Sequence, residues 1–365
     1  MNPFIYLRAL RHAEHTVFCV EDGQKTYYDA QFGRSVAYSS GQQVKRSILQ
    51  ALTDSLNVQM APITFNYEIT KKKGLSNKEP WSPCDPTCLD QLLGGWMRAK
   101  NPSVQGTGAD EKESSVLKRR SPLSVSAMRP LHPLLAGVDR ENLTFDRSDR
   151  PDNNPVRVRL EGSDELLTEE EIEKYLDENN RTLTRRIWIP NNKRTNGLFV
   201  YDVAIDLRTL FSVSTNQHEP EVTKDMIEKL RRGGWVEGEN VFGKCLILPR
   251  AEREKIIPKL AEALLNWRIT SNQSRTFSLM ETLAVAISDN ANTVAASIRA
   301  KLQDDLASLK AMPVLDSIPG ADLFVTLPCA GYIVTDLERM DALEAAKQDL
   351  IDRMTSFDFE NQLAK

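Results

Sequence analysis

The sequence predicts an α+β fold, and three observations carry that prediction. Segments rich in aromatic and β-branched residues, such as 4–11 and 198–205, read as strands. They are interleaved with segments whose apolar residues return every three to four positions, such as 44–56 and 251–267, which read as helices. Between Arg129 and Asn196 the chain turns irregular, with Pro130, Pro133, Pro151 and Pro155 among many Asn and Asp, which marks a long insertion.

The first strand runs from Phe4 through Val20, bent near Ala13, into a turn at Glu21-Asp22-Gly23. Ser40 is a plausible N-cap for a helix in which Val44, Ile48, Leu52 and Leu56 recur every four residues. Residues 62–69 alternate in polarity as a strand, 71–83 is a polar loop, and 123–128 is again β-like. Thr168-Glu169-Glu170-Glu171 is a capping box opening an acidic helix over 168–179. Beyond it come a strand at 198–205, a helix at 222–232, a glycine-spaced loop from Gly233 to Gly243 and a strand at 244–248. The remainder reads as helix 251–267, a strand or helix at 277–288, helix 291–311, strand 322–334 and helix 337–353.

With 365 residues, 41% hydrophobic, and a mean hydropathy of −0.41, the chain is expected to be a soluble globular protein of two or three domains, or one core with insertions. No run reaches the ~18 apolar residues of a membrane span, and the first residues lack a signal-peptide pattern. An odd count of five cysteines without a dense framework points to reduced thiols and a cytoplasmic location. The net charge of −4 argues against a nucleic-acid binder until it is resolved along the chain. Residues 1–150 are net positive, with clusters Lys71-Lys72-Lys73 and Lys118-Arg119-Arg120, and the rest is net negative, with acids grouped from Asp152 to Glu178.

The glycines at 233, 234, 238 and 243 match neither a P-loop, for want of Gly-Lys-Ser/Thr, nor a dinucleotide fingerprint, because a strand follows where a helix should. A plain connecting loop outweighs a ligand-approach loop there. Cys84 and Cys88 have the spacing of half a zinc site, but no second half stands out, and ordinary thiols are preferred. His12 and His15 could move protons in a metal-independent nuclease, although three residues apart on a strand they face opposite ways. At the helix start, free N–H groups with Gln42, Lys45 and Arg46 favour a phosphate, weighed evenly against a solvated face with a snorkelling lysine.

One ordered set of segments is more specific. Gly33-Arg34 precedes Ser40-Gly41-Gln42-Gln43-Val44-Lys45-Arg46-Ser47-Ile48, then come Arg119-Arg120-Ser121-Pro122-Leu123-Ser124-Val125-Ser126 and Leu198-Phe199-Val200-Tyr201-Asp202-Val203-Ala204-Ile205-Asp206-Leu207. This resembles the DevR-type backbone subunit of CRISPR type I Cascade complexes, a branch of the RAMP superfamily. The resemblance implies an RRM-like (ferredoxin-like) palm over 1–128 and 197–365, with a thumb inserted at 129–196 and a smaller insertion at 71–117. It implies assembly of several copies into a helical oligomer along a CRISPR RNA, beside handle-binding, large and small subunits, with target DNA as a further partner, in antiviral defence. No cofactor, no membrane partner and no catalysis of its own are expected, the last as the leading reading beside a ribonuclease alternative that the resemblance shares.

Under the resemblance the RNA-facing role falls on Arg34, Ser40, Gly41, Gln42, Lys45 and Arg46, on Arg119, Arg120, Met128 and Arg129, and on Gly234 and Gly238. The aromatic residues that RRM sheets use for stacking are not evident as a motif, so backbone contacts are expected. The alternatives are a RAMP ribonuclease, acting through His12 or His15 or through Asp139, Asp146 or Asp149, and a structural oligomer unrelated to nucleic acid.

Overall fold

The computed structural model describes residues 2–18, 24–71, 74–98, 116–146, 155–184, 186–269, 277–305 and 308–363. It is an α+β protein, as the sequence predicts. The expected turn at 21–23, Lys72, Lys73 and Asp149 lie outside the described residues. The chain divides into two compact units, Met1–Gly137 with Thr195–Lys365, and Val138–Arg194.

Strand β1 (Phe4–Thr16) is followed by the hairpin β2 (Thr26–Asp29) and β3 (Arg34–Ala37), then by α1 (Gly41–Leu56). The expected bend is real: the β1 register slips between Ala13 and Thr16, and His15 takes a φ of 45°. Helix α1 is capped by Ser40, whose Oγ accepts from Gln43 N, and it buries Val44, Ile48, Leu49 and Leu52. Next come a short ribbon, β4 (Tyr67–Ile69) and β5 (Leu75–Asn77), then α2 (Leu89–Gly94), β6 (Trp96–Arg98) and β7 (Leu117–Arg119). Strands β8 (Leu123–Val125) and β9 (Arg129–Pro130) lead to β10 (Ala136–Asp146). Strand β10 and the long β11 (Arg186–Asp206) belong to both units.

Between them lies α3 (Glu169–Glu178), where Thr168 and Glu171 make both halves of the capping box and no residue is buried. After β11 follow α4 (Leu207–Leu210), β12 (Ser212–Ser214), α5 (Lys224–Arg232), the hairpin β13 (Val236–Asn240) and β14 (Gly243–Ile247), and α6 (Arg250–Asn266). The C-terminal part adds β15 (Thr282–Ser288), α7 (Ala291–Ser297), the hairpin β16 (Ile298–Asp305) and β17 (Ser308–Leu315), β18 (Ala321–Thr326), β19 (Glu338–Arg339) and α8 (Ala342–Thr355).

The principal sheet runs β10-β11-β1-β15-β18-β19, with β8 and β9 also paired to β11. Within it, β1, α1, the β8–β10 stretch, β11, α6 and β15 form a βαββαβ unit. Its strands stand in the order second-third-first-fourth, and β1 pairs antiparallel with β11 and β15, as β8 and β9 do with β11. This is the RRM-like arrangement. Alternation along β1 then assigns two faces. Ile5, Leu7, Ala9 and Arg11 point to the helices, where α1 packs on α6 and α6 on α8. Leu10 points the other way, into a second core with Val200, Ala286, Val294, Ile298 and Leu315.

Arg11, 2% exposed, sets the end of α6: it donates to Leu265 O (2.7 Å) and Trp267 O (2.8 Å) and stacks on the Trp267 ring. A cation there meets the negative end of the helix dipole and satisfies its last carbonyls.

Two sequence expectations are corrected here. Residues 291–311 are not one helix: α7 ends at Ser297 and the chain turns into the β16–β17 hairpin. Ile298 and Leu315, paired across that hairpin, are buried in the second core, so tertiary packing overrides the helix propensity of an Ala-, Leu- and Lys-rich segment. The glycine-spaced stretch is likewise largely strand, with 236–240 paired to 243–247.

Candidate nucleic-acid interface

The start of α1 is pinned to the edge of the sheet. Ser39 exchanges both backbone hydrogen bonds with Met128 (2.9 and 3.0 Å). A Cβ on Gly41 would lie 2.7 Å from Val125 O, so only glycine lets the helix start so close to the β8–β9 stretch. The first N–H groups of a helix have no partner inside it and carry partial positive charge, which makes this end attractive to an oxyanion. Gln42 and Arg46 are exposed beside it, one turn apart.

Next to that helix start lies a charge cluster made by three strands. Arg8 of β1 grips Asp202 of β11 with Nε (2.6 Å) and Nη2 (3.1 Å), and its Nη1 donates to Ile298 O. Arg129 of β9 reaches the same carboxylate at 3.1 Å, with 41% of its side chain exposed. Two guanidiniums on one carboxylate leave a net positive charge, and the open donors are those of Arg129. The backbone of Asp202 is tied to Ser126, N to Oγ at 2.8 Å and O to N at 2.9 Å, which fixes the cluster against the α1 start. Arg34 donates to Ala136 O (3.1 Å) from the neighbouring hairpin. Tyr27 lies close enough to Asp29 and Arg129 to feel both, and burial, followed by Asp29, raises its pKa against the pull of Arg129.

Three sequence candidates, Arg119, Met128 and Lys45, are corrected, and the two glycines, Gly234 and Gly238, have local structural roles. Arg119 is 3% exposed, and its guanidinium is spent on Leu92 O, Thr209 O and the Glu221 carboxylate, leaving nothing for a phosphate. It holds β7 to the α4 region, whereas Arg120, the next residue, is exposed. Met128 is fully buried, and it contributes backbone pairing only. Lys45 turns inward from α1, donating Nζ to Gly94 O (2.7 Å) and to Ser121 Oγ. Burial pushes its pKa down to about 8, although both acceptors favour the charged form. Gly234, with φ of 84°, ends α5 by letting Trp235 N reach Leu230 O. Gly238 makes room for Ile247, whose Cδ1 would be 2.3 Å from an added Cβ. Neither glycine faces a ligand by necessity.

The structure thus leaves Arg34, Ser40, Gly41, Gln42, Arg46 and Arg129 on elements that adjoin the β8–β9 edge, and it adds Arg8, Asp202, Ser126 and Tyr27. The period-two pattern of β1 and β11 carried a signal for Arg8 and Asp202, polar residues in otherwise apolar strands. Their pairing across 194 positions was not readable.

The alternative catalytic candidates are dispersed. His12 Nδ1 contacts Glu281 (3.0 Å) and the ring stacks on Tyr332 at 4.0 Å, while His15 is held through its backbone N by Asn196. Asp146 pairs with Arg186 and Asp139 is exposed. Cys84 is buried and donates to Ser82 O, and burial raises the pKa of both Cys84 and Cys88, opposite to what a metal-binding thiolate needs. Among the described residues no group of three or more His, Cys, Asp or Glu is arranged for a metal. No helix among them is long and apolar enough to cross a membrane.

No protein-family model matches the chain, and no curated protein matches it either. Solved structures do. A chain of a "CRISPR RNA-guided surveillance complex, pre-nicking" superimposes with a TM-score of 0.42 at 10% identity, covering 96% of this chain and 88% of that one. A chain of a "CRISPR RNA-guided surveillance complex" gives 0.37 at 11% identity, covering 96% and 83%.

Proposed function

We propose that the chain is a CRISPR-RNA-binding backbone subunit that oligomerises along the guide in a type I Cascade-like complex and supports pairing with target DNA, without catalysis of its own. One observation carries the reading: the start of α1, with Gln42 and Arg46 exposed on its first turns, is pinned to the β8–β9 edge of the RRM-like sheet, the edge that also carries the partly open Arg129. Helix N–H groups and guanidiniums hold phosphates without reading bases, which is what a subunit must do if the guide sequence is to vary. The segments that carry this surface are also those on which the sequence resembles the DevR-type family. Repetition of a modest site along one RNA raises its strength through multivalency.

Removing the charges of Arg46 and Arg129 together tests the surface. The wild-type chain is expected to bind CRISPR RNA with an affinity that falls with salt, and the double alanine variant to lose roughly two from the slope of log K against log[salt]. An unchanged slope would refute the assignment. Incubating the assembled complex with complementary RNA and magnesium tests the absence of catalysis: regularly spaced fragments would establish a ribonuclease instead.

A further inference from the structure

We infer that the acidic lobe 155–184 docks, in the absence of RNA, on the β8–β9 edge of a second copy of this chain. Two independent observations lead there, and the first is packing. Helix α3 is ten residues long, and a helix of that length is marginal in water unless an apolar face is covered. Ile172, Tyr175 and Leu176, at i, i+3 and i+4, give α3 such a face. Yet no residue of 155–184 is buried, and Leu160, Leu166 and Tyr175 are 61%, 53% and 50% exposed. The lobe has a capped helix but no core of its own, so its apolar side chains are open to a partner.

The second observation is charge, and it selects the occupant. Residues 155–184 carry nine acids against four cations, and this net of −5 exceeds the −4 of the whole chain. Glu171 is committed to the cap, and Glu178 lies 3.9 Å from Lys174. Glu169, Glu170, Glu173 and Asp177 are exposed, and no cation among the described residues pairs with them. Three of these, Glu169, Glu173 and Asp177, stand in a row along the helix at ~6 Å per step. Such a row repeats negative charge as a phosphate backbone does, so RNA repels it and a cationic protein surface attracts it. Each copy carries one. On the elements that adjoin the β8–β9 edge, Arg8, Arg34, Arg46 and Arg129 stand against Asp29 and Asp202. Tyr27, 38% exposed and within reach of the Arg129 charge, offers a ring to the apolar face of α3. The lobe of one copy and the edge of the next make a head-to-tail contact. Where that edge holds RNA, lobe and RNA compete for it; this part of the inference rests on the proposed function, whereas the docking does not.

The test uses the full chain freed of nucleic acid, with its mass followed by sedimentation. The wild type is expected to self-associate at about 50 mM salt, to weaken at least tenfold by about 300 mM, and to return to monomer on adding a short single-stranded RNA with room for one copy. Glu169→Gln, Glu170→Gln and Glu173→Gln together keep good helix formers, and should abolish self-association while raising RNA affinity about fivefold, because no lobe then competes. Arg46→Ala with Arg129→Ala should also be monomeric. A mixture of the two variants should form one-to-one dimers, since each supplies the half that the other lacks. A wild type that stays monomeric at low salt overturns the docking, as do a lobe variant that associates like the wild type and a mixture that stays monomeric. A monomeric wild type whose RNA affinity still rises on lobe substitution places the contact within one chain and overturns the second copy. Self-association that follows every charge change but is unmoved by RNA supports the docking and refutes RNA binding at this edge; a monomeric wild type whose RNA salt slope falls with Arg46→Ala and Arg129→Ala overturns the docking and leaves RNA binding standing.

Discussion

Arg119 and Arg129 lie ten residues apart, both on short strands, and the structure uses them in opposite ways. The Arg119 side chain is 1% exposed and has its donors committed to two carbonyls and Glu221. The Arg129 side chain is 41% exposed and shares Asp202 with Arg8. A cation near a proposed RNA path is therefore a ligand for RNA only if its donors are still open. The same distinction separates Lys45, turned into the α1–α2 junction, from Arg46, its exposed neighbour.

Substitutions can break or sharpen that contrast. The largest effect is expected from Arg119→Ala, which leaves Glu221 and two carbonyls without their partner and should cost about 3–5 kcal/mol in chemical denaturation. A loss below 1 kcal/mol would return Arg119 to the list of free cations. Gly41→Ala should follow, at about 1–3 kcal/mol, because the new methyl meets Val125 O at 2.7 Å. It should also weaken RNA binding, since the helix start must move away from Arg129.

Lys45 predicts a pH dependence. Its folded pKa of about 8 lies below the ordinary 10.5, so between those values the folded chain has released a proton that the unfolded chain still holds. Stability should rise as pH increases through that window and level off on either side. Lys45→Met should flatten the rise, as read from denaturation midpoints across pH. The smallest effect on stability belongs to Arg129→Ala, within about 0.5 kcal/mol if its role is at the surface. Its cost should be seen in RNA affinity instead.

Much of the fold was readable because the signals are local. The Ser40 cap, the four-residue period after it and the Thr168–Glu171 box need only neighbours in sequence, and all three are observed. What escaped depends on distant partners. Ile298, Ala300 and Leu302, then Leu309, Ala311 and Leu315, do alternate, yet their Ala, Leu and Lys content mimics a helix until the second core claims Ile298 and Leu315. Within the candidate site, Arg119 and Arg120 read alike in sequence, as neighbours in one basic cluster. Which of the two points inward was decided by Glu221, about a hundred residues later.

The place of β1 at the middle of the sheet bears on how the chain is made. Its partners are β11 and β15, so Phe4 waits for Asp206 and Tyr6 for Ser288. At the usual ~5–20 residues per second, the ribosome needs roughly ten seconds or more to supply the first partner and longer for the second. During that interval an apolar strand with two unpaired edges is out of the exit tunnel with no sheet to join. Expression yield should therefore respond to translation speed and to chaperones that cover extended apolar segments, before any RNA is present.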